Sequence, residues 1–370
     1  MSKAVQSAAI KRFEERFAKA YGADTLRRSS EINPYEVIPT GSLNLDYRLS
    51  VGGYVEGRIV EVWGPDGVGK TTLSLMGIRE AQRKHPDKLA AFIDMEQKFD
   101  PAWAVAHGVD LERLFLYQPQ SAEDVADALK DFCTEGLFSM VVLDSVGAMI
   151  PTAEQEKGAG ESAMGKYAGI VTRMVKIAAP RAAKTNTLVY LINQVRANLG
   201  YGADTTTGGG FALKHSSTQK LKMRRTGTAP FKAKIGDEDR VVGHEIAVYI
   251  ERNGVAPAYR TAMFTLFHVA TEKYGPIGID RADEATTLGV SLGLIQRSGA
   301  WYTLPGGDRV QGREGVIERL REDPQMLEAI SKAVLASVSA EIFDSEVAPE
   351  DIEDDGEERK PRFRTGRQED

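Results

Sequence analysis

The 370-residue chain contains a single cysteine, Cys133. That excludes an internal disulfide framework and a zinc cluster built on thiolates. No apolar run approaches the roughly 18 residues that a helix needs to cross a bilayer. The opening stretch, MSKAVQSAAIKRFEERF, lacks an apolar core followed by small residues at a cleavage site, so no secretory signal is expected and the cytoplasm is the expected compartment. Positive charge is also short, with a formal net charge of −6. This argues only weakly against a nucleic-acid partner, because the deficit is concentrated in Glu341–Glu358, EIFDSEVAPEDIEDDGEE. Without that run the chain is mildly basic. The run is poor in apolar residues and reads as a disordered tail, either a solubilising appendage or a gate competing with an anionic ligand. The final RKPRFRTGRQED turns basic. What remains is ordinary for a globular protein, with 42% hydrophobic and 27% charged residues. The length suits one large core with appendages, or two to three domains.

Residues 57–72 read GRIVEVWGPDGVGKTT. The apolar run Ile59-Val60-Glu61-Val62-Trp63 leads into Gly64-Pro65-Asp66-Gly67-Val68-Gly69-Lys70-Thr71, a complete G-x-x-x-x-G-K-[ST] phosphate loop, and a helical stretch follows from Thr72 to about Lys84. Such a match arises by chance in roughly one chain in a hundred of this length, and the strand–loop–helix context makes it rarer. Glycines let backbone N–H groups turn toward a triphosphate, and the helix N-terminus adds positive partial charge. Lys70 is expected to reach the β and γ oxygens, and the Thr71 hydroxyl to ligate Mg²⁺.

Along the chain, Ile10, Phe13, Phe17 and Tyr21 recur at helical spacing over residues 8–21. A polar linker, residues 27–33, separates this amphipathic helix from the core. From about Tyr35 to Val269 the pattern is α/β. Candidate strands Ile59–Trp63, Leu89–Asp94, Met140–Asp144 and Leu188–Asn193 alternate with helices, which implies a mainly parallel sheet. Glu245–Glu251 and Thr261–Phe267 read as a β-hairpin extending it. Beyond Tyr274 a mixed segment runs through Trp301-Tyr302-Thr303 and turns helical to about Ser339. The expected units are therefore 1–34 (helix and linker), 35–269 (nucleotide core), 270–339 (a small α+β domain) and 340–370 (the tail).

In open α/β sheets the ligand sits at the carboxyl ends of the strands. Met140–Leu143 ends in Asp144, the carboxylate a Mg²⁺ shell needs. Ala90–Asp94 is followed by Met95-Glu96, where Glu96 is either a polariser of the attacking water or an ordinary strand-end charge. Leu188–Ile192 is followed by Asn193-Gln194, and an amide there can bond a γ-phosphate or orient water. Two Gly-rich stretches leave the same edge: Glu156–Gly165 (EKGAGESAMG) and Arg196–Phe211 (RANLGYGADTTTGGGF). Loops of this length are usually functional or disordered. Their backbone amides suit phosphates, and Met164 and Leu199 are sparse apolar side chains able to wedge between bases.

GPDGVGKTT, FIDMEQ, VVLDS, LINQVR and TTTGGGFALK follow one another in the order and spacing of the bacterial and phage RecA recombinases, and Thr40–Asp46 and Gly299–Tyr302 add to the likeness. The chain resembles that family over about residues 8–335. The resemblance implies a RecA-type core and a DNA-dependent ATPase that forms a helical filament on single-stranded DNA, then pairs it with homologous duplex and exchanges strands. A ring helicase on the same core, or an ATP-switched recombination mediator, are the alternatives. It implies ATP and Mg²⁺ as cofactors, self-association, and loader, mediator or single-strand-binding proteins as further partners. Carried over by position, Gly64–Thr72 bind the triphosphate, Thr71 and Asp144 hold Mg²⁺, Glu96 is the catalytic carboxylate with Lys70, and Gln194 is the γ-phosphate sensor. Asp100 and Trp103 lie near adenine. Met164, Gly165, Lys176, Arg196, Leu199, Gly208 and Gly209 contact DNA, and residues 8–21 dock on the adjacent protomer. There are departures. The family's Lys-Asn-Lys segment that reaches a neighbour's γ-phosphate is Arg252-Asn253-Gly254 here, keeping one cation. A phenylalanine of the protomer interface is His215, and an arginine expected near the first loop is Gly169. The second DNA loop is shorter. These mark a divergent member.

Overall fold

The computed structural model describes residues 3–22, 26, 35–155, 164–196, 206–207, 213 and 215–343. The linker 27–33, residues 156–163 of the first Gly-rich stretch, Leu199, Gly208, Gly209 and the acidic tail beyond Phe343 lie outside them. The first helix, α1 (Lys3–Tyr21), starts five residues earlier than expected. Its Phe13, Phe17 and Tyr21 rings follow one another at 5.7 and 4.7 Å, while Ile10, Phe13 and Tyr21 stay exposed.

A short ribbon, β1 (Val37–Ile38) with β2 (Tyr54–Val55), brackets α2 (Leu43–Arg48). The core then alternates β3 (Ile59–Gly64), α3 (Lys70–Lys84), β4 (Leu89–Asp94), α4 (Pro101–Ala106), β5 (Leu114–Tyr117), α5 (Ala122–Phe132), β6 (Phe138–Asp144), α6 (Thr152–Gln155), α7 (Met164–Thr185) and β7 (Leu188–Arg196). It ends in β8 (Thr206–Thr207), β9 (Gln219–Arg225), β10 (Phe231–Ile235), β11 (Glu238–Asn253), β12 (Thr261–Phe267) and β13 (Gly278–Ile279). The main path of the sheet runs β13-β12-β11-β9-β3-β7-β6-β4-β5. From β9 to β5 every neighbour is parallel; β10, β11, β12 and β13 pair antiparallel.

Alternate residues of the parallel strands feed two apolar layers. Val60, Val62, Met140, Val142 and Tyr190 pack with Leu73, Met76 and Ile78 of α3. Ile59, Val141, Leu143, Val189 and Leu191 pack with Val125 and Leu129 of α5 and Val171, Met174 and Val175 of α7. Burial on both faces is why these strands read as unbroken apolar runs. Among the strands not expected from the sequence are β5, β9 and β10. β9, QKLKMRR, reads as polar. Its Lys220 is nevertheless buried, 3.6 Å from Glu61 and 3.7 Å from Glu251, so a paired charge hides a central strand.

A third apolar cluster joins α8 (Arg281–Ser291), α9 (Arg313–Glu322) and α10 (Pro324–Phe343) to Leu43 and Tyr47 of α2. Beside it stands a three-stranded sheet of β14 (Gln296–Ser298), β15 (Trp301–Thr303) and β16 (Arg309–Gln311). Among the described residues no helix is long and apolar enough to cross a membrane.

Candidate active site

The loop between β3 and α3 opens onto a cavity of about 520 Å³ lined by Asp66–Thr72, Glu96, Lys98, Trp103, Asp144 and Gln194, and on the far side by Arg225, His244, Ile246 and Leu266–His268. Two glycines fix the loop. Gly69, the N-cap of α3, has φ 96°, and a Cβ there would stand 2.4 Å from Leu266 Cδ2. A Cβ on Gly64 would stand 2.2 Å from the Met223 carbonyl oxygen. A side chain at Gly64 would press on the β9 backbone; at Gly69 it would displace the Leu266 side chain and strain a left-handed backbone. Arg225, at the end of β9, clips the loop by donating to the Gly67 carbonyl at 2.8 Å.

Lys70 is buried and donates to the Gly64 and Pro65 carbonyls at 2.8 and 2.7 Å. Burial holds its pKa below the ordinary lysine value, against the pull of Asp66, Asp144 and Glu96. The Thr71 hydroxyl donates to Asp144 Oδ2 at 2.5 Å. Burial pushes the Asp144 carboxyl up to about 6, despite that hydrogen bond. Two oxygen donors converging beside a triphosphate loop match the preference of Mg²⁺ for oxygen ligands completed by water and phosphate.

The parallel register sets Asp94 beside Asp144, and Gly64 beside Gln194. The ends of β4, β6 and β7 therefore converge on Glu96. Its Oε1 accepts from Gln194 Nε2 at 2.7 Å and from Ser145 Oγ at 2.9 Å; its Oε2 accepts from Lys98 Nζ at 2.8 Å. Burial pushes the Glu96 carboxyl up, but the Lys98 and Ser145 hydrogen bonds and the Lys98 and Lys70 charges outweigh it and hold it below the ordinary glutamate value. A carboxylate kept ionised at neutral pH beside a phosphate loop suits a general base.

Asp100 caps α4, accepting from the Ala102 and Trp103 amides at 2.8 and 3.2 Å. Trp103 is half-buried; its Nε1 donates to Thr72 Oγ1 at 3.3 Å, and its ring lies 4.5 Å from that of His107. Arg252 is not a lining residue of the cavity. It sits six residues along β11 from Ile246, about 20 Å for an extended strand; it pairs with Lys220, whereas Ile246 pairs with Arg225 at the loop end of β9, and its guanidinium donates to the His215 carbonyl. Met164 and Gly165 open α7, and Lys176 is exposed on the same helix. Arg196 ends β7, two residues beyond Gln194. Ser145, Lys98 and Arg225 were not singled out from the sequence. Lys98 stands two positions after Glu96 and was open to inspection; Arg225 meets the loop from 158 residues away, in an unexpected strand.

The fold and the loop together define a nucleotide-binding P-loop protein with the RecA-type sheet. The family model described as RecA N-terminal domain matches residues 3–271, and that described as RecA C-terminal domain matches 284–339. The chain is similar to Protein RecA of Thermotoga neapolitana, 38% identical over 90% of this chain and 92% of that one. It is likewise similar to Protein RecA of Methylococcus capsulatus, at 39% over 88% and 90%, and of Brucella anthropi, at 34% over 95% and 94%. A crystal structure of the RadB recombinase matches with a TM-score of 0.47 and 22% identity, over 62% of this chain and 96% of that one. The chain belongs to the RecA family; it is a recombinase and a DNA-dependent ATPase.

Proposed function

We propose that this recombinase binds ATP with Mg²⁺ at the Gly64–Thr72 loop and polymerises as a helical filament on single-stranded DNA. In that state it pairs the strand with homologous duplex and exchanges strands. The observation that carries the assignment is the position of Glu96, bonded to Gln194 and Ser145 across the cavity from Lys70, Thr71 and Asp144. In hydrolysis Glu96 takes a proton from water as its oxygen bonds to the γ-phosphorus. The bond from that phosphorus to the β,γ-bridging oxygen breaks, and ADP leaves with the electron pair. Thr71 and Asp144 would hold Mg²⁺, which when bound would offset negative charge on the phosphates. Lys70 would exchange the loop carbonyls for phosphate oxygens. Asp100 and Trp103 would border adenine.

Gln194 would pass the presence of the γ-phosphate along β7 to Arg196 and the second Gly-rich segment with Leu199, Gly208 and Gly209. Met164, Gly165 and Lys176 at α7 would serve the first. Self-association is supported by two exposed apolar faces. One is the stripe on α1; the other is the sheet edge at β5, where Phe115, Leu116 and Tyr117 are exposed next to Leu137. Exposed edge strands of this kind invite a partner. Arg252, far from its own cavity, would serve a neighbour's γ-phosphate. On this reading 1–34 docks protomers, 35–269 is the motor, 270–339 an accessory domain and 340–370 a charged tail. Loader or single-strand-binding proteins act with it, in the cytoplasm.

The test is ATP hydrolysis with and without single-stranded DNA. Stimulation by DNA is expected. Glu96→Gln should lower turnover by about 10²–10⁴ while DNA-bound filaments still form with ATP. Absence of stimulation, or wild-type turnover in Glu96→Gln, would refute the assignment.

A further inference from the structure

Glu96 has a second cationic neighbour besides Lys70. The Lys98 ammonium lies 2.8 Å from Glu96 Oε2, and Lys98 lines the same cavity as Lys70, Thr71 and Asp144. Gln97 between them adopts φ 53°, a left-handed turn that a glutamine rarely takes, and both charged ends line the cavity. The other donors to Glu96 are anchored. Gln194 sits on a central strand and Ser145 is buried, whereas the Lys98 side chain is 76% exposed and free to swing on its four-carbon stem. Lys98 also lines the adjoining smaller cavity with Thr71, Asp94 and Trp103.

We propose that Lys98 is a positioning residue shared between Glu96 and the terminal phosphate of a bound nucleoside triphosphate. Paired with Glu96 it occupies the carboxylate oxygen that would otherwise face water. A polyanion entering the cavity competes for the ammonium, since phosphate oxygens offer more negative charge than one carboxylate. Transfer of Lys98 to the γ-phosphate releases Oε2 of Glu96 for the attacking water, so base and substrate are armed in the same motion. A diphosphate lacks the group that draws the ammonium away and leaves the pair intact. This rests on the reading of the cavity as the ATP site and of Glu96 as its base.

The experiment is equilibrium binding of the full-length protein, with Mg²⁺, to the β,γ-imido analogue of ATP and to ADP, together with steady-state hydrolysis. Lys98→Gln should weaken the triphosphate analogue about tenfold and change ADP less than about twofold. The KM for ATP should rise in step with the analogue's dissociation constant. Lys98→Arg, which keeps the charge, should retain the triphosphate preference. An unchanged triphosphate-to-diphosphate ratio in Lys98→Gln overturns the proposal, and so does an equal loss of both nucleotides. Should Lys98→Gln fail to fold, Lys98→Met is read by the same criteria. Glu96→Gln separates the layers: full turnover in that variant sinks the assignment of Glu96 as base, whereas the binding ratio of the Lys98 variants speaks to Lys98 alone.

Discussion

Trp103 shows how one residue divides its contacts between core and cavity. One edge donates to Thr72 at the start of α3 and one face meets His107, while the ring still lines the cavity. Replacing it with leucine keeps apolar volume against the core but removes the flat surface offered to a nucleobase. Trp103→Leu should therefore bind ATP more weakly by about two- to tenfold, in line with the roughly 0.5–1.5 kcal/mol that aromatic stacking contributes. Titration calorimetry would measure it, and undiminished affinity would place the ring in the core alone. Residues of the phosphate loop were legible because their chemistry is local: Gly64, Gly69, Lys70 and Thr71 act within eight positions of one another. Asp144, Glu96 and Gln194 were legible because each follows an apolar strand whose carboxyl end must face the ligand. Arg225 and Ser145 were not, since what gives them a role is a partner 158 or 49 residues away.

At the scale of elements, the four parallel strands declared themselves through apolar runs buried on both faces. β9 and β5 did not, for opposite reasons. The buried Lys220 of β9 is neutralised by Glu61 and Glu251, a pairing no local pattern announces. β5 is an edge strand with Phe115, Leu116 and Tyr117 exposed, so it lacks the inside–outside contrast on which periodicity depends. The hairpin expected from Glu245 is longer, because β11 reaches back to Glu238 to pair with β10. The exposed edge carries a prediction about assembly. Leu116→Arg sets a charge on the proposed docking face without touching the cavity. ATP-dependent self-association should weaken about tenfold or more, as for a residue central to an interface, while binding of the ATP analogue by the protomer stays unchanged. Sedimentation velocity with the analogue distinguishes the two. Unaltered assembly would mean that the β5 edge is not an assembly face.

For the whole molecule, a buried carboxylate adds a polar fastening to the apolar cluster that joins the C-terminal helices to α2. Glu284 of α8 is 5% exposed; it accepts from the Ser42 hydroxyl and from the Leu43 amide at 2.8 Å, and so caps α2 from across the domain boundary. Asp46, one helical turn along α2, is buried as well and accepts from the Thr40 amide at 2.8 Å. Burial pushes the Glu284 carboxyl up to about 7 and the Asp46 carboxyl up to about 8, against the hydrogen bonds each receives and the charge of Arg281. A carboxyl with a raised folded-state pKa binds protons more readily folded than unfolded. Its contribution to stability is complete below the unfolded value, near 4.5 for glutamate, and is lost as pH rises through about 7. The protein should accordingly grow less stable between pH 5 and pH 8. Glu284→Gln removes one titrating group while keeping an amide oxygen for the α2 cap. Relative to the parent chain, this variant should gain as much as about 3 kcal/mol from pH 5 to pH 8, and its stability–pH curve should flatten without becoming level, since Asp46 still titrates. Urea unfolding across that range reads the difference directly. Parallel curves for the two proteins would mean that Glu284 is ionised at every pH tested, its donors from Ser42, Leu43 and Asn44 outweighing the burial.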